Sequence, residues 1–219
     1  MPFRPEDYDL FVFDCDGVIL DSNGIKSQAF FDVALPFGEK QAERFVAYHQ
    51  LRGGVSRQEK FKYFVAEILT AEPPDRESLE IELVEAYARI CREGLQKCSM
   101  IPGVQAFLAS LPRSVRNYVV SGGAQTEVRQ ALTERHLDQF FSLILGNPRS
   151  KQENMQQLFA AGVLKGRGAY FGDARLDMEL AQQFDLDFVF VSGASEWAEA
   201  DVEFRGERIY DFREFIAKN

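Results

Sequence analysis

The sequence predicts an α/β protein whose core is a doubly wound parallel sheet, with a small all-helical domain inserted after the first strand. Two patterns carry this prediction. Five short apolar runs each end at a small or polar residue, and helical apolar spacing separates the later runs. A single long segment interrupts the alternation with helical spacing alone. Strands that alternate with helices favour a parallel sheet covered on both faces.

The five predicted strands are continuous in apolar character, which is typical of strands buried on both faces. They lie at residues 10–13, 118–120, 143–145, 169–171 and 188–191. Helical patterns follow the second, third and fourth strands, at 128–132, 155–159 and 180–184. Ligands bind such sheets at the carboxyl ends of the strands, so polar residues at those ends are candidates for a functional site.

The segment from 21 to 98 has helical apolar spacing throughout, in groups at 30–34, 45–48, 61–68 and 83–91. Pro73 and Pro74 separate its last two predicted helices, and the Ile-Pro-Gly run at 101–103 marks the return to the sheet. The predicted division is therefore an α/β domain of residues 1–20 and 99–219 and a helical domain of residues 21–98.

Composition narrows the possible partners. The chain has 219 residues with a formal net charge of -9, which lacks the electrostatic attraction that dominates nucleic-acid binding. Its twenty Phe residues are therefore predicted to fill the core instead of stacking on bases. Three cysteines without a CxxC pair, no leader-like N-terminus and no apolar run of roughly 18 residues predict a reduced, cytoplasmic protein with no membrane partner.

Asp14 and Asp16 form the sharpest chemical pattern, directly after the first predicted strand. Two carboxylates at this spacing can both face one ligand as the chain leaves a buried strand, and Gly17 permits the bend. Taken alone, an Asp-x-Asp-Gly run is more often an ordinary turn or a cation loop. The residue spacing of a calcium-binding loop is absent.

Asp173 and Asp177 add two carboxylates, at the end of the fourth strand and in the first turn of the next helix. Dipole compensation alone would explain Asp177. It would not explain how four carboxylates converge on one site, because two unit charges roughly 5 Å apart at an effective dielectric of about 20 repel by roughly 3 kcal/mol. The sequence therefore predicts a counter-charge, for which Mg²⁺ is the natural candidate.

Two further sequence motifs have the features of an anion-binding site. Ser121 and Gly122 follow the second predicted strand just before a helix, where a hydroxyl and backbone N–H groups can face a phosphate. Ser150 and Glu153 have the spacing of a capping box, which places Lys151 at the first helical position. A Gly-rich turn and a solvated lysine would explain these pieces individually; beside an acidic pocket, Lys151 would neutralise carboxylates and a bound phosphate.

Taken in this order, the four pieces resemble the four motifs of the haloacid dehalogenase-like (HAD) superfamily, over essentially the whole chain. The resemblance implies a Rossmann-like core with a small helical cap domain. It implies that Asp14 is the nucleophile that forms an aspartyl-phosphate, and that Asp16 is the general acid and then the base. Ser121, Gly122 and Lys151 would hold the phosphoryl oxygens. The implied Mg²⁺ site comprises Asp14, Asp16 through its main-chain carbonyl, Asp173, and Asp177 in support.

Asp16 also favours one branch of the superfamily. Dehalogenases of this group do not carry an acid/base Asp at its position, so the resemblance implies a phosphatase. Its substrate would be a small phosphorylated metabolite, with a sugar phosphate as one option. The alternatives are a beta-phosphoglucomutase-like phosphomutase, a phosphonatase and a non-catalytic phospholigand sensor.

Two cap residues are candidate substrate contacts. Residues 51–57 resemble the substrate-specificity loop of the beta-phosphoglucomutase-like branch, which makes Arg57 a candidate, with a surface arginine as the alternative. Lys26 stands where mutase-like relatives often carry a His that assists Asp16, which weakens the mutase interpretation.

The two histidines, His49 and His136, are too few for an imidazole metal site and are predicted to be surface residues of helices. Nothing in the sequence predicts an oligomeric state.

Overall fold

Six parallel strands form one sheet in a computed structural model, which describes residues 3–70, 73–198, 200, 204 and 206–216. The strand order is β3-β2-β1-β4-β5-β6. The strands are β1 Leu10–Phe13, β2 Arg116–Ala124, β3 Leu143–Asn147, β4 Gly168–Gly172, β5 Asp187–Val191 and β6 Glu207–Ile209. All five predicted strands are present, and the predicted fold class is confirmed.

The cap, defined here as the helices between β1 and β2, follows the predicted spacing. Its helices are α1 Asn23–Ala34, α2 Glu39–Leu51, α3 Arg57–Tyr63, which continues into a π-helical turn at Phe64–Ile68, and α4 Pro73–Lys97. The cap has its own core, built around the buried rings of Phe30, Phe45, Phe61, Phe64 and Tyr87. The helical insertion is therefore present, while its exact boundaries at 21 and 98 stay predictions.

Helices cover both faces of the sheet: α5 Val104–Ser110, α6 Gln125–Thr133, α7 Lys151–Ala160, α8 Arg175–Gln183 and α9 Arg213–Ile216. Alternate residues of β1 enter two separate cores, because strand side chains point to opposite faces. Phe11 and Phe13 belong to one core, and Leu10 and Val12 to the other. The first core is rich in Phe rings, as predicted, whereas the second is mostly aliphatic with two buried tyrosines, Tyr118 and Tyr170. None of the helices that the structure describes has the length and apolar character needed to cross a membrane.

The strand order explains where a site can form. The chain passes from β1 to β2 and β3 on one side of the sheet, and from β4 to β5 and β6 on the other. The order therefore reverses between β1 and β4, which is where open parallel sheets bind ligands. Asp14 follows β1, Ser121 lies near the end of β2 and Asp173 follows β4, so neighbouring strands deliver all three.

Candidate active site

Lys151 lies at the centre of the charged site. Its Nζ atom is 2.8 Å from Asp14 Oδ2 and 2.6 Å from Asp177 Oδ1, and its side chain is fully buried. The predicted capping box of Ser150 and Glu153 is present and makes Lys151 the first residue of α7. Burial alone would lower the pKa of Lys151, but the two carboxylates outweigh it and hold that pKa well above its ordinary value. The two ion pairs thus stabilise an ammonium at an otherwise unfavourable helix end.

Three buried carboxylates meet next to this ammonium. Oxygens of Asp14, Asp173 and Asp177 all lie within 4.8 Å of one another. Burial, with repulsion from Asp177 and Asp16, raises the pKa of Asp14 to about 7 despite the opposing effect of Lys151. Burial and the neighbouring carboxylates also raise the pKa of Asp173 well above its ordinary value.

The donor set fits a divalent cation. With all three carboxylates ionised, Lys151 leaves two negative charges unbalanced in a buried site, and Mg²⁺ prefers such oxygen ligands. Both oxygens of Asp177 already accept hydrogen bonds: Oδ1 from Lys151 and Tyr170, and Oδ2 from the backbone N–H groups of Asp173 and Ala174. Asp14 has two such contacts, from the N–H of Cys15 to Oδ1 and from Lys151 to Oδ2, and Asp173 Oδ2 accepts from Asn23, so these two carboxylates keep more free acceptor capacity for an ion than Asp177 does.

Asp16 is not part of this cluster of three carboxylates. Its carboxylate accepts hydrogen bonds from Ser22 Oγ at 2.6 Å and from Lys26 Nζ at 2.5 Å. Burial would raise the pKa of Asp16, but Lys26 and the two hydrogen bonds outweigh it and lower that pKa. Lys26 therefore contacts the predicted acid/base residue directly.

The end of β2 after Val120, where the register with β3 shifts, brings Ser121 and Gly122 to the same edge of the sheet. Ser121 is fully buried, and its hydroxyl accepts a hydrogen bond of 3.0 Å from the N–H of Gly123. Gly122 lies against the cap, because a methyl group added there would be 2.3 Å from the carbonyl oxygen of Gly54. Only a glycine permits this approach of the specificity loop, the name used below for residues 51–57.

A cleft between cap and core is lined by Asp14, Asp16, Gly122 and Asp173, whereas the buried Lys151, Asp177 and Ser121 do not line it. It has about 740 Å³ of atom-free space, counting its open mouth. Its floor is formed by residues at the carboxyl ends of β1, β2 and β4, and its roof by residues of the cap helices α1 to α4. The charged side chains that line it are Asp14, Asp16, Lys26, Arg57, Lys60, Asp173, Arg175 and Glu196.

A model of the family described as haloacid dehalogenase-like hydrolase matches residues 11–191. The chain belongs to the haloacid dehalogenase-like hydrolase family. The match includes the four predicted motifs and the cap, and it confirms the resemblance seen in the sequence. No curated protein matches the chain significantly.

Solved structures with the same fold cover almost the whole of this HAD-like hydrolase. A protein named predicted phosphoglycolate phosphatase, from Haemophilus somnus, has a TM-score of 0.73 at 17% identity, covering 97% of this chain and 98% of its own. Beta-phosphoglucomutase from Clostridium difficile has a TM-score of 0.71 at 17% identity, covering 96% of each chain. YfnB from Bacillus subtilis, bound to magnesium, has a TM-score of 0.64 at 17% identity, with coverage of 96% and 98%.

Arg57 of the HAD-like hydrolase is not a surface arginine. It is 7% exposed and lines the cleft. Its guanidinium forms an ion pair with Glu127 of α6, with Nη1 3.1 Å from Oε1, and lies 5.0 Å from the ring centroid of Tyr87. Arg57 thus links the cap helix α3 to the core at the edge of the cleft.

The prediction that His49 is a surface residue is wrong. His49 is 8% exposed, and its Nδ1 atom is 2.6 Å from Nζ of Lys60. The physical reason is the stripe of Ala42, Phe45 and His49 on α2, whose helical spacing turns all three into the cap core. His136 is exposed as predicted, but it lies in a turn after α6.

Sequence reasoning also missed Asn23, Lys60 and Glu196. Asn23 donates hydrogen bonds to Asp173 Oδ2 at 2.6 Å and to the carbonyl oxygen of Ala194 at 2.9 Å. Glu196 accepts from Ser27 Oγ at 2.7 and 2.8 Å. These residues belong to no motif, and their partners are remote in sequence. Only the position of Asn23 at the start of α1, a few residues after Asp16, hints at the site.

Proposed function

We propose that this HAD-like hydrolase is a Mg²⁺-dependent phosphatase that acts on a small phosphorylated metabolite through an aspartyl-phosphate. One observation carries the proposal. The Asp14 carboxylate lies at the floor of the cleft, 2.8 Å from the Lys151 ammonium and beside Asp173. We assign these three side chains, from distant parts of the chain, the roles of nucleophile, phosphate-neutralising cation and metal ligand.

In the first step, an oxygen of Asp14 attacks the phosphorus atom and forms an O–P bond. The bond between phosphorus and the substrate's leaving oxygen breaks, and that oxygen takes a proton from Asp16. Because the Lys26 ammonium lowers the pKa of Asp16, the step requires the shared proton of their hydrogen bond to lie on Asp16 when the substrate binds. The products of this step are the free alcohol and the aspartyl-phosphate.

In the second step, water attacks the same phosphorus atom and gives its proton to Asp16. The O–P bond to Asp14 breaks, which releases inorganic phosphate and restores the carboxylate. Lys151, the Ser121 hydroxyl and the backbone N–H of Gly122 would balance the charge on the phosphoryl oxygens in both steps.

Asp14 and Asp173 would hold the Mg²⁺ ion by their carboxylates, and Asp16 by its main-chain carbonyl. Bound there, the ion supplies positive charge that stabilises the negative phosphoryl oxygens. Asp177 would support the site by fixing Lys151 and the turn at Asp173 and Ala174. Asn23 would orient the Asp173 carboxylate through its 2.6 Å hydrogen bond.

A phosphomutase is the second candidate, favoured by the likeness to beta-phosphoglucomutase over 96% of the chain. The same Asp14 chemistry would then return the phosphoryl group to a second hydroxyl of a sugar phosphate. Isomerisation of a hexose phosphate without net release of phosphate would support this candidate.

The proposal also includes a cytoplasmic location. Its partners would be small molecules, without nucleic acid or membranes.

Replacement of Asp14 tests the phosphatase proposal. Asp14→Asn should lower the phosphate-release kcat by several orders of magnitude, because an amide cannot act as the covalent nucleophile. The measurement is a phosphate-release screen over phosphorylated metabolites, with and without a chelator. Asp32→Asn, an exposed Asp of α1, is the matched control and should keep wild-type turnover. Undiminished release by Asp14→Asn would refute the assignment.

A further inference from the structure

Lys60 places a buried ammonium in the roof of the cleft. It lies on α3, is 2% exposed, and lines the cleft. Its Nζ atom is 2.6 Å from Nδ1 of His49 and 5.5 Å from the ring centroid of Phe30. Among the described residues, these are its direct polar and aromatic contacts. Neither contact carries a negative charge.

Two neighbouring cations of the roof differ from Lys60 in this respect. Lys26 forms an ion pair with Asp16, and Arg57 forms one with Glu127. The described part of the chain places no carboxylate within ion-pair distance of Lys60. An ammonium buried without an opposite charge is unfavourable, so the site is complete only when a ligand supplies that charge.

His49 points to the same conclusion independently. It lines the cleft, and its buried Nε2 atom has no hydrogen-bond partner among the residues that the structure describes. The nearest carboxylate oxygen, Oε2 of Glu196, is 3.7 Å away, beyond hydrogen-bond distance, and Glu196 accepts from Ser27 instead. When the Lys60 ammonium donates to Nδ1, the neutral imidazole carries its proton on Nε2. Lys60 and His49 then both offer hydrogen-bond donors.

We propose that Lys60 and His49 bind a carboxylate on the organic part of the substrate, which is therefore the phosphate monoester of a small hydroxy acid. A carboxylate only accepts hydrogen bonds and carries the missing negative charge, so it complements both donors. A sugar hydroxyl would accept a hydrogen bond but leave the ammonium unbalanced. The inference rests on the proposed phosphatase function, in which the phosphoryl group occupies the floor of the cleft near Lys151.

The electrostatics of the roof support a ligand-dependent charge on Lys60. Burial, with repulsion from Lys26 and Lys151, lowers its pKa to about 7, and attraction by Asp16 and Glu196 only partly opposes this. His49 faces it from α2 as a neutral group, because burial and the nearby lysines lower the pKa of that imidazole well below its ordinary value. A bound carboxylate would raise the pKa of Lys60. Preference for acids should therefore decline as the pH rises through about 7.

Matched pairs of phosphate esters test the carboxylate site. Phosphoglycolate is paired with 2-hydroxyethyl phosphate, and 3-phosphoglycerate with glycerol 3-phosphate, so each pair differs in a carboxylate. Dissociation constants are measured by titration calorimetry with Mg²⁺ in the full-length Asp14→Asn protein, which leaves the esters intact. We expect at least one acid to bind roughly tenfold to a hundredfold more tightly than its alcohol, the range of a charge-assisted hydrogen bond.

Lys60→Met in the same background should reduce this acid-to-alcohol ratio to about threefold or less. Lys62→Met, an exposed lysine of the same helix, should leave the ratio unchanged. Because the ratio compares two ligands on one variant, a loss of folded protein does not affect it, and the titration stoichiometry reports the folded fraction.

Two results overturn the inference: neither acid binds more tightly than its alcohol, or Lys60→Met retains the full ratio. Failure of the proposed function is seen separately, as an absence of phosphate release from every ester by the protein with Asp14 intact. A carboxylate preference in binding without any turnover would leave the carboxylate site standing and overturn the phosphatase.

Discussion

The Lys60 ammonium is buried without an opposite charge, which lowers the stability of the folded protein but leaves a cation available to bind a ligand. The side chain lies between the cleft and the Phe30 ring of the cap core, and its hydrogen-bond partner is a neutral imidazole. Folding must therefore remove either a charge from water or a proton from the amine. Such groups persist at functional sites, where stability is exchanged for activity.

Lys60→Met is expected to stabilise the protein at neutral pH. The free energy of unfolding should rise by about 1–4 kcal/mol, as when an apolar side chain of similar volume replaces buried charge. Between pH about 7, the folded pKa, and 10.5, the ordinary value, the unfolded chain binds more protons than the folded one. The gain is thus full below pH about 7 and shrinks as the pH rises toward 10.5.

Urea denaturation at pH 7 and pH 10 measures this difference for Lys60→Met and the wild type. Lys62→Met serves as the control, and its stability should differ from the wild type by less than roughly 0.5 kcal/mol at both values. A destabilised Lys60→Met protein, or a gain that grows with pH, would contradict the account of a desolvated amine.

Residues in local motifs were predictable, and residues held by remote contacts were not. Asp14, Asp173 and Lys151 follow from strand ends and a capping box, which are patterns of adjacent residues. The site roles of His49 and Lys60 depend on how α2 packs against α3, which sequence spacing does not specify. Within α2, the spacing of His49 from Phe45 did signal burial, since it continues the apolar stripe of that helix.

At the scale of elements, the specificity loop rests directly on the core. Gly54 has a φ of +81°, which favours glycine, and its carbonyl oxygen lies over Gly122 of β2. Arg57, the last residue of this loop, forms an ion pair through its guanidinium with Glu127 of α6. These two contacts hold the N-terminus of α3, and with it the roof of the cleft, at a fixed distance from Asp14.

Gly122→Ala should disturb this contact without unfolding either domain. The added methyl group would meet the Gly54 carbonyl oxygen at 2.3 Å, so the specificity loop must move away from the core. We expect kcat/KM for phosphate release to decrease roughly tenfold to a hundredfold, because small misplacements of this size disrupt catalytic geometry.

Gly24→Ala in α1 is the matched control, since nothing lies within 4 Å of the added methyl group. Its kcat/KM should stay within about twofold of the wild type. Calorimetric melting of both variants separates a local shift from a loss of folding. Wild-type kcat/KM in Gly122→Ala would show that the loop contact does not position the site.

Helices and strands with a local sequence signal were predicted, and the strand that depends on a remote contact was not. The helix α7 was predicted to its first residue, because a capping box is a local signal. The strand β6 was missed, because Glu207–Ile209 contains one apolar residue and forms only by pairing with the edge of β5. An edge strand of this kind is specified by its neighbour more than by its own sequence.

At the scale of the whole molecule, the insertion point of the cap explains its part in the site. The cap begins immediately after the turn that carries Asp14 and Asp16, so the start of α1 delivers Ser22, Asn23 and Lys26 to the cleft. The sheet reverses its order beside the same turn, which adds Asp173 from β4. One short segment after β1 therefore connects Asp14, the proposed nucleophile, and Asp16, the proposed acid/base residue, to the roof.

Chemical trapping of the covalent intermediate tests this organisation most directly. The protein is mixed with Mg²⁺ and a phosphate ester that it hydrolyses, quenched in acid, and treated with borohydride, which reduces an acyl phosphate on aspartate to homoserine. Peptide mass spectrometry then locates the modified position. We expect homoserine at position 14 only when ester and Mg²⁺ are both present. Homoserine at another aspartate, or release of phosphate with position 14 unmodified throughout turnover, would contradict it.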